Sequence, residues 1–201
     1  MQVSKRMVRN LVTISRSTSI LKAMELMRKN SIRHLPVVDG ENLIGFVTEG
    51  DLRQASLLSM VDKVSIEDVM IKNPITVAPG DSLEEAAKLI TTHKIGGLPV
   101  VQQKKLVGII TIVDILRAFI QMMGILKSSS RIDLVLGEAP HAFEEVSRVF
   151  KDHGAQIISV GMSNKKDRKK RVYFFRLEKC GLQQIVAAVK EKGYKVISVT
   201  E

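Results

Sequence analysis

The stretch H-L-P-V-V-D-G-E-N-L-I-G-F-V-T-E-G-D, His34 to Asp51, returns as G-L-P-V-V-Q-Q-K-K-L-V-G-I-I-T-I-V-D, Gly97 to Asp114, with no gap. The offset is 63 positions, and carrying it backwards superimposes Met7 on Met70, Asn10 on Asn73, Thr13 on Thr76, Ser19 on Ser82, Ala23 on Ala86, Leu26 on Leu89 and Ile32 on Ile95. Fifteen of the 48 positions from 7 to 54 are identical to their partners, far above chance, so the first two thirds of the chain is a duplication. Two similar units of this kind are expected to pack about a pseudo-twofold axis.

Hydrophobic period changes in the same order within each unit. V-T-I at Val12 to Ile14 reads as a short extended piece. Ile20, Ala23, Met24 and Met27 then recur at helical spacing, as do Leu83, Ala86, Ala87 and Ile90 in the copy, each run behind a capping Ser or Thr. L-P-V-V follows, then a turn at Asp39 and Gly40 (Gln102 and Gln103 in the copy), a strand over Leu43 to Val47 or Leu106 to Ile110, and a second helix. The unit is therefore β-α-β-β-α. At about 60 residues it is too small for a secure core and is expected to need its copy.

Residues 117 to 130 read as an apolar helix, with Leu116, Phe119, Ile120 and Met123 on one face, that runs out into S-S-S as a linker over 127 to 130. A different unit then begins at Arg131. Its order is strand (Ile132 to Leu136), helix (Pro140 to His153), strand (Gln156 to Val160), basic loop, strand (Val172 to Leu177), helix (Gly181 to Lys192) and strand (Lys195 to Thr200). This is the βαββαβ, or ferredoxin-like, order. The fold class is α+β, divided as 1–63, 64–126 and 131–201.

Composition bounds the function. The 201 residues are 45% hydrophobic and 26% charged, an ordinary globular balance. The longest apolar run, Val107 to Val113, is far below the ~20 residues of a membrane helix, and no secretory signal follows Lys5, Arg6 and Arg9. A lone cysteine, Cys180, fits a reducing compartment, and an intracellular, cytoplasmic protein is expected. The net charge of +10 is spread along the chain apart from Lys165, Lys166, Asp167, Arg168, Lys169, Lys170 and Arg171. That run lacks the interleaved aromatics of a nucleic-acid surface and is read as a solvated loop. A nucleic-acid-associated factor using residues 165–171, and a structural dimer with empty clefts, are the competing readings.

The repeated G-h-h-T-x-x-D, Gly45 to Asp51 and Gly108 to Asp114, is the main candidate site. A Thr followed three residues later by an acid caps a helix N-terminus. The same hydroxyl, the free N–H groups and the positive helix end also suit an anion, and a carboxylate suits the cis-diol of a ribose. Thr for phosphate and Asp for ribose, twice, suggests nucleoside phosphates.

These residues resemble a tandem pair of CBS domains, a Bateman module, over roughly residues 1 to 126. The resemblance implies two clefts that bind adenine nucleosides or nucleotides such as AMP, ADP, ATP or S-adenosylmethionine. It assigns the ribose to Asp51 and Asp114, the phosphate to Thr48 and Thr111, and the adenine to apolar side chains near the L-P-V-V strand and the V-T-h segment. The two residues before L-P commonly add phosphate contacts: Arg33 and His34 in the first repeat, Gly96 and Gly97 in the second, with Gly97 and Leu98 at the second site. On that reading one cleft has cationic capacity and the other suits a neutral ligand. The C-terminal unit resembles an ACT domain, although its first loop is G-E-A-P-H-A-F, Gly137 to Phe143, with His141 where that family has Gly, and Gln156-Ile157 stands for its later N-I. The combination is similar to accessory proteins of bacterial acetoin utilisation.

Catalysis has little support in the chain. His34, His93, His141 and His153 form no metal-ligand spacing, Cys180 has no evident base, and Glu84-Glu85 and Glu144-Glu145 lie in first helical turns where they complement the macrodipole. The expectation is a non-catalytic regulator with no metal and no tightly bound cofactor. It senses an adenine nucleotide, forms a homodimer through the CBS helices and the ACT-like unit, and signals to an unidentified protein partner by moving the Leu116 to Leu126 helix.

Overall fold

A computed structural model describes residues 1–57, 64–163 and 171–201, so the loop over 165–170 lies outside the described residues. The chain forms two compact units, Met1–Leu116 and Arg117–Glu201.

In the first unit, α1 (Ile20–Asn30) starts at Ser19, whose side chain accepts from Lys22 N, and α4 (Leu83–His93) starts at Ser82, which accepts from Glu85 N. Both helices end on a left-handed residue, Ser31 (φ 52°) and Lys94 (φ 54°). The hairpin β1 (His34–Asp39) to β2 (Asn42–Thr48) is repeated as β4 (Gly97–Gln102) to β5 (Lys105–Thr111), each with a register shift between the two valines of L-P-V-V. Helix α2 (Glu49–Leu57) follows β2, α3 (Ile66–Val69) leads into the short β3 (Ile71–Lys72), and α5 (Ile112–Met122) follows β5.

The sheet runs β1-β2-β5-β4, with β3 added against β2. Its centre demonstrates the twofold relation. Asn42 pairs with Lys105, and the reciprocal bonds Leu43 N to Lys104 O (3.3 Å) and Leu106 N to Glu41 O (3.0 Å) flank that pair. Asn42 and Lys105 are each other's repeat, and the two flanking bonds interchange under the 63-residue offset. Apolar helix stripes pack beneath: Ile20, Ala23 and Met27 with Leu35, Val37 and Val47 in the first repeat are buried, as are Leu83, Ala86, Ile90, Leu98, Val100 and Ile110 in the second.

Three expectations change. The V-T-I piece is a single parallel bridge rather than a strand: Ile14 meets Val37 and Val77 meets Val100, with one bond on each side. A turn follows the bridge directly, closed by Thr18 N to Ser15 O in the first repeat and Asp81 N to Ala78 O in the second, so the ladder extends no further in that direction. The apolar helix begins at Ile112 instead of 117 and closes at Gly124 (φ 67°), where Ile125 N bonds back to Ile120 O. Ser129 and Ser130, expected in a linker, belong to β6 (Ser129–Val135), because the buried Ser130 hydroxyl donates to Cys180 O (2.7 Å) and accepts from Cys180 N (3.1 Å).

The leading segments of the repeats are also exchanged. Residues at the N-terminus dock on the second repeat through Leu83 N to Met1 O, Val3 N to Asp81 O and the Val8–Ile109 bridge. Symmetrically, β3 and Ser65 dock on the first repeat, at Phe46 and Ser19.

In the second unit β6, α6 (Ala142–Asp152), β7 (Ile157–Met162), β8 (Val172–Glu178), α7 (Gln183–Glu191) and β9 (Lys195–Thr200) give the βαββαβ order, with an antiparallel sheet β7-β8-β6-β9. Ile132 and Leu134 alternate inward with Phe175 and Leu177 against Val146, Phe150, Ile185 and Val189 of the two helices. On the opposite face Arg131 grips Asp133 through two bonds (2.7 and 3.0 Å), Ser198 donates to the same carboxylate, and the guanidinium lies 4.9 Å from the Phe174 ring centre.

Candidate functional site

Each T-x-x-D closes on itself. Thr48 donates to Asp51 Oδ2 through its amide (2.8 Å) and its hydroxyl (2.7 Å), and Asp51 N donates back to Thr48 Oγ1 (3.3 Å). Thr111 and Asp114 repeat this at 2.9, 2.6 and 3.3 Å. The capping reading therefore holds at both strand-to-helix junctions. Among the described residues all bonds to Asp51 fall on Oδ2.

A cavity opens at each junction. The first, of about 440 Å³, has Thr48, Glu49 and Gly50 on one wall, Ile71, Pro74 and Ile75 on another, and Lys94 to Gly97 on a third. The second, of about 300 Å³, has Thr111, Ile112, Val113 and Asp114, then Val8, Leu11 and Val12, then Ser31 to His34. These lists map onto one another by the 63-residue offset, so the clefts are quasi-equivalent. Their size is that of small-molecule sites. The exchanged segments supply the apolar wall in both, because Val8 and Ile71 are held there by their bonds to β5 and β2.

Of the residues expected at the site, Thr48 and Gly97 line the first cleft, and Thr111 and Asp114 the second. Asp51 is bonded to Thr48 without forming part of the wall. Leu98 is fully buried in the core and lines neither cavity, since side chains alternate along β4 and its neighbour Gly97 takes the cleft side. Arg33 and His34 line both clefts, as does Gly96, so the expected contrast between a cationic first cleft and a neutral second one does not rest on those two residues.

The backbone explains their position. Arg33 O accepts from Glu49 N at the start of α2, and Gly96 O accepts from Ile112 N at the start of α5. His34 stacks on Phe46 (centres 5.7 Å apart, planes at 17°), and its Nε2 lies 2.7 Å from where a Cβ on Gly96 would stand. Burial first, and then the Arg33 charge, push the His34 pKa below its ordinary value.

Sequence reasoning missed Lys94 and Ser31, the left-handed helix ends, which line the first and second cleft respectively. Their signal was the same offset that aligned the motifs. Glu49, also in the first cleft, is paired with Arg53 at 2.8 Å. Among the described residues no group of three or more His, Cys, Asp or Glu side chains could hold a metal ion.

Two quasi-equivalent clefts in a duplicated, segment-exchanged unit define a tandem-repeat module. The CBS domain model matches residues 2–58 and 66–121, and the chain belongs to that family. Solved members of the family have been obtained with adenosine ligands. The CBS domain pair of protein MJ0100, in complex with 5′-methylthioadenosine and S-adenosyl-L-methionine, is 31% identical over 59% of this chain and 95% of that one (TM-score 0.55). CBSX2 from Arabidopsis thaliana, in complex with AMP, is 33% identical over 60% and 96% (TM-score 0.54). The proposed acetoin utilization protein (AcuB) of Vibrio cholerae is 35% identical over 62% and 94% (TM-score 0.57). Among curated relatives, the inosine-5′-monophosphate dehydrogenase of Korarchaeum cryptofilum is 38% identical over 109 residues. The match spans 22% of that enzyme's length. No helix among the described residues is long and apolar enough to cross a membrane.

Proposed function

We propose that the chain is a non-catalytic regulator that senses an adenine nucleoside or nucleotide, from the set AMP, ADP, ATP and S-adenosylmethionine, in its two clefts. The observation that carries this reading is the pair of offset-related cavities, each joining a T-x-x-D helix start to an apolar wall. The base stacks against Ile71, Pro74 and Ile75 or Val8, Leu11 and Val12. The ribose diol engages the carboxylate of Asp51 or Asp114, and a phosphate meets the Thr hydroxyl, the helix N-terminus and Arg33. The ligands held by MJ0100 and CBSX2 support the same class.

The βαββαβ order and helix-covered sheet of the second unit favour an ACT-like domain. The exposed Leu21 on α1, with Ile112, Val113 and Leu116 on α5, favours a homodimer through the CBS helices. A role in acetoin utilisation and a cytoplasmic location belong to the same proposal, the first resting on the likeness to AcuB and the second on the lone Cys180.

Isothermal titration with the four ligands tests the sensor. Micromolar binding, about −8 kcal/mol, is expected. It should be lost at one cleft in Asp51→Asn and at the other in Asp114→Asn, changes that keep an acceptor for the cap. Unchanged binding in the double variant would remove the ribose assignment. Salt-sensitive binding of an oligonucleotide in place of nucleotide would favour the basic run over 165–171 instead.

A further inference from the structure

Arg33 stands in the wall of both clefts. His34 shares that wall, and burial pushes its pKa below the ordinary value, so Arg33 is the permanent positive charge there. Outside the shared wall the clefts differ at equivalent positions. Lys94 lines the first where Ser31 lines the second, and Glu49 and Gly50 face Ile112 and Val113 in the same comparison. Among the described residues neither Arg33 nor Lys94 has an ion-pair partner, whereas Glu49 is engaged by Arg53.

A 5′-phosphate in the first cleft thus meets two cations, one of them its own. In the second cleft it must draw on Arg33, which the first already uses, and it lies beside Asp114 in a wall otherwise made apolar by Ile112 and Val113. Two phosphates competing for one guanidinium oppose each other, since its donors match one phosphate at a time in the bidentate geometry.

We propose that the clefts take different ligand classes, a nucleoside 5′-phosphate in the first and a phosphate-free nucleoside in the second, with Lys94 and Ser31 as the specificity-determining pair and Arg33 making phosphate binding antagonistic between them. This rests on the nucleoside reading above. The repeat itself supplies the test, because both residues occupy the same backbone conformation, φ 54° and 52°, and each is already tolerated at the equivalent site.

The full chain is titrated with adenosine and with AMP. Adenosine fills two sites, while AMP fills one and enters the second at least about tenfold more weakly. Lys94→Ser weakens the tighter AMP site by about tenfold and weakens AMP more than adenosine there, and Ser31→Lys strengthens the weaker AMP site by about tenfold. The gap between the two AMP sites narrows as salt is raised. Two equal, independent AMP sites in the wild type, or AMP binding indifferent to both exchanges, overturns the division while leaving a nucleoside sensor intact. No binding of either compound overturns the nucleoside reading and this division with it.

Discussion

Gly108 is constrained by what lies against it. A Cβ there would stand 2.6 Å from Met7 Sδ and 3.1 Å from Val8 O, and Val8 is fixed by its two bonds to Ile109. At the equivalent Gly45 the obstacle is the Met70 side chain, its Sδ nearest, and no backbone atom is among the nearest neighbours. A thioether can swing aside; a bridged carbonyl cannot. Gly108→Ala should therefore cost about 1–3 kcal/mol and Gly45→Ala less, read as urea midpoints at constant m-value. Equal losses would mean that the bridge yields as easily as the side chain. The repeated Met7/Met70 and Gly45/Gly108 identities were visible in the sequence, but only the exchange of segments explains why each Met answers the other repeat's Gly. His34 carries a second prediction. Its folded pKa lies below the ordinary 6.5, so protonation favours the unfolded chain. Its contribution is present above the unfolded value and lost as pH falls toward and through the folded one. Wild-type stability should drop between about pH 7.5 and about pH 5.5 more than that of His34→Gln, measured by chemical denaturation. Parallel profiles would show that the imidazole titrates as it does in water.

The two hairpins solve one problem with unequal chemistry. The first turns through Gly40 at φ 60°, which glycine adopts freely. The second turns through Gln103 and Lys104 at φ 51° and 69°, the doubly left-handed geometry that Asn-Gly serves best. Replacing Gln103-Lys104 by Asn-Gly should stabilise the protein by about 1 kcal/mol, seen as a raised urea midpoint. A neutral or negative result would mean that the Lys104 side chain repays its own strain. Lys104 O accepts from Leu43 N in either case, so the join between β2 and β5 is preserved. Helices α1 and α4 were legible because a 3.6-residue stripe behind a Ser cap is a local property of the chain. V-T-I was misread as a strand and S-S-S as a linker for the converse reason. One bridge to L-P-V-V and one buried serine hydroxyl are set by distant partners, and neither leaves a periodic trace.

The division into Met1–Leu116 and Arg117–Glu201 gives the two compact units separate cores. If the clefts bind nucleosides, ligand at a hundredfold excess over its Kd adds about 2.7 kcal/mol to the unit that holds it. Calorimetry or hydrogen exchange should then show protection of amides in 1–116, with those of β6 to β9 unmoved. Equal protection of both would place a ligand in the second unit as well. The duplication, the order of elements and the two T-x-x-D caps were determined by the sequence alone, because each is carried by neighbours along the chain. The tertiary structure decided the rest: the N-terminal residues dock on the second repeat, Leu98 is core, and Lys94 joins the first cleft. Arg33 and His34 line both clefts because they stand where the pseudo-twofold brings the two repeats together, and an axis through residues 63 apart is a property of packing, which no local spacing encodes.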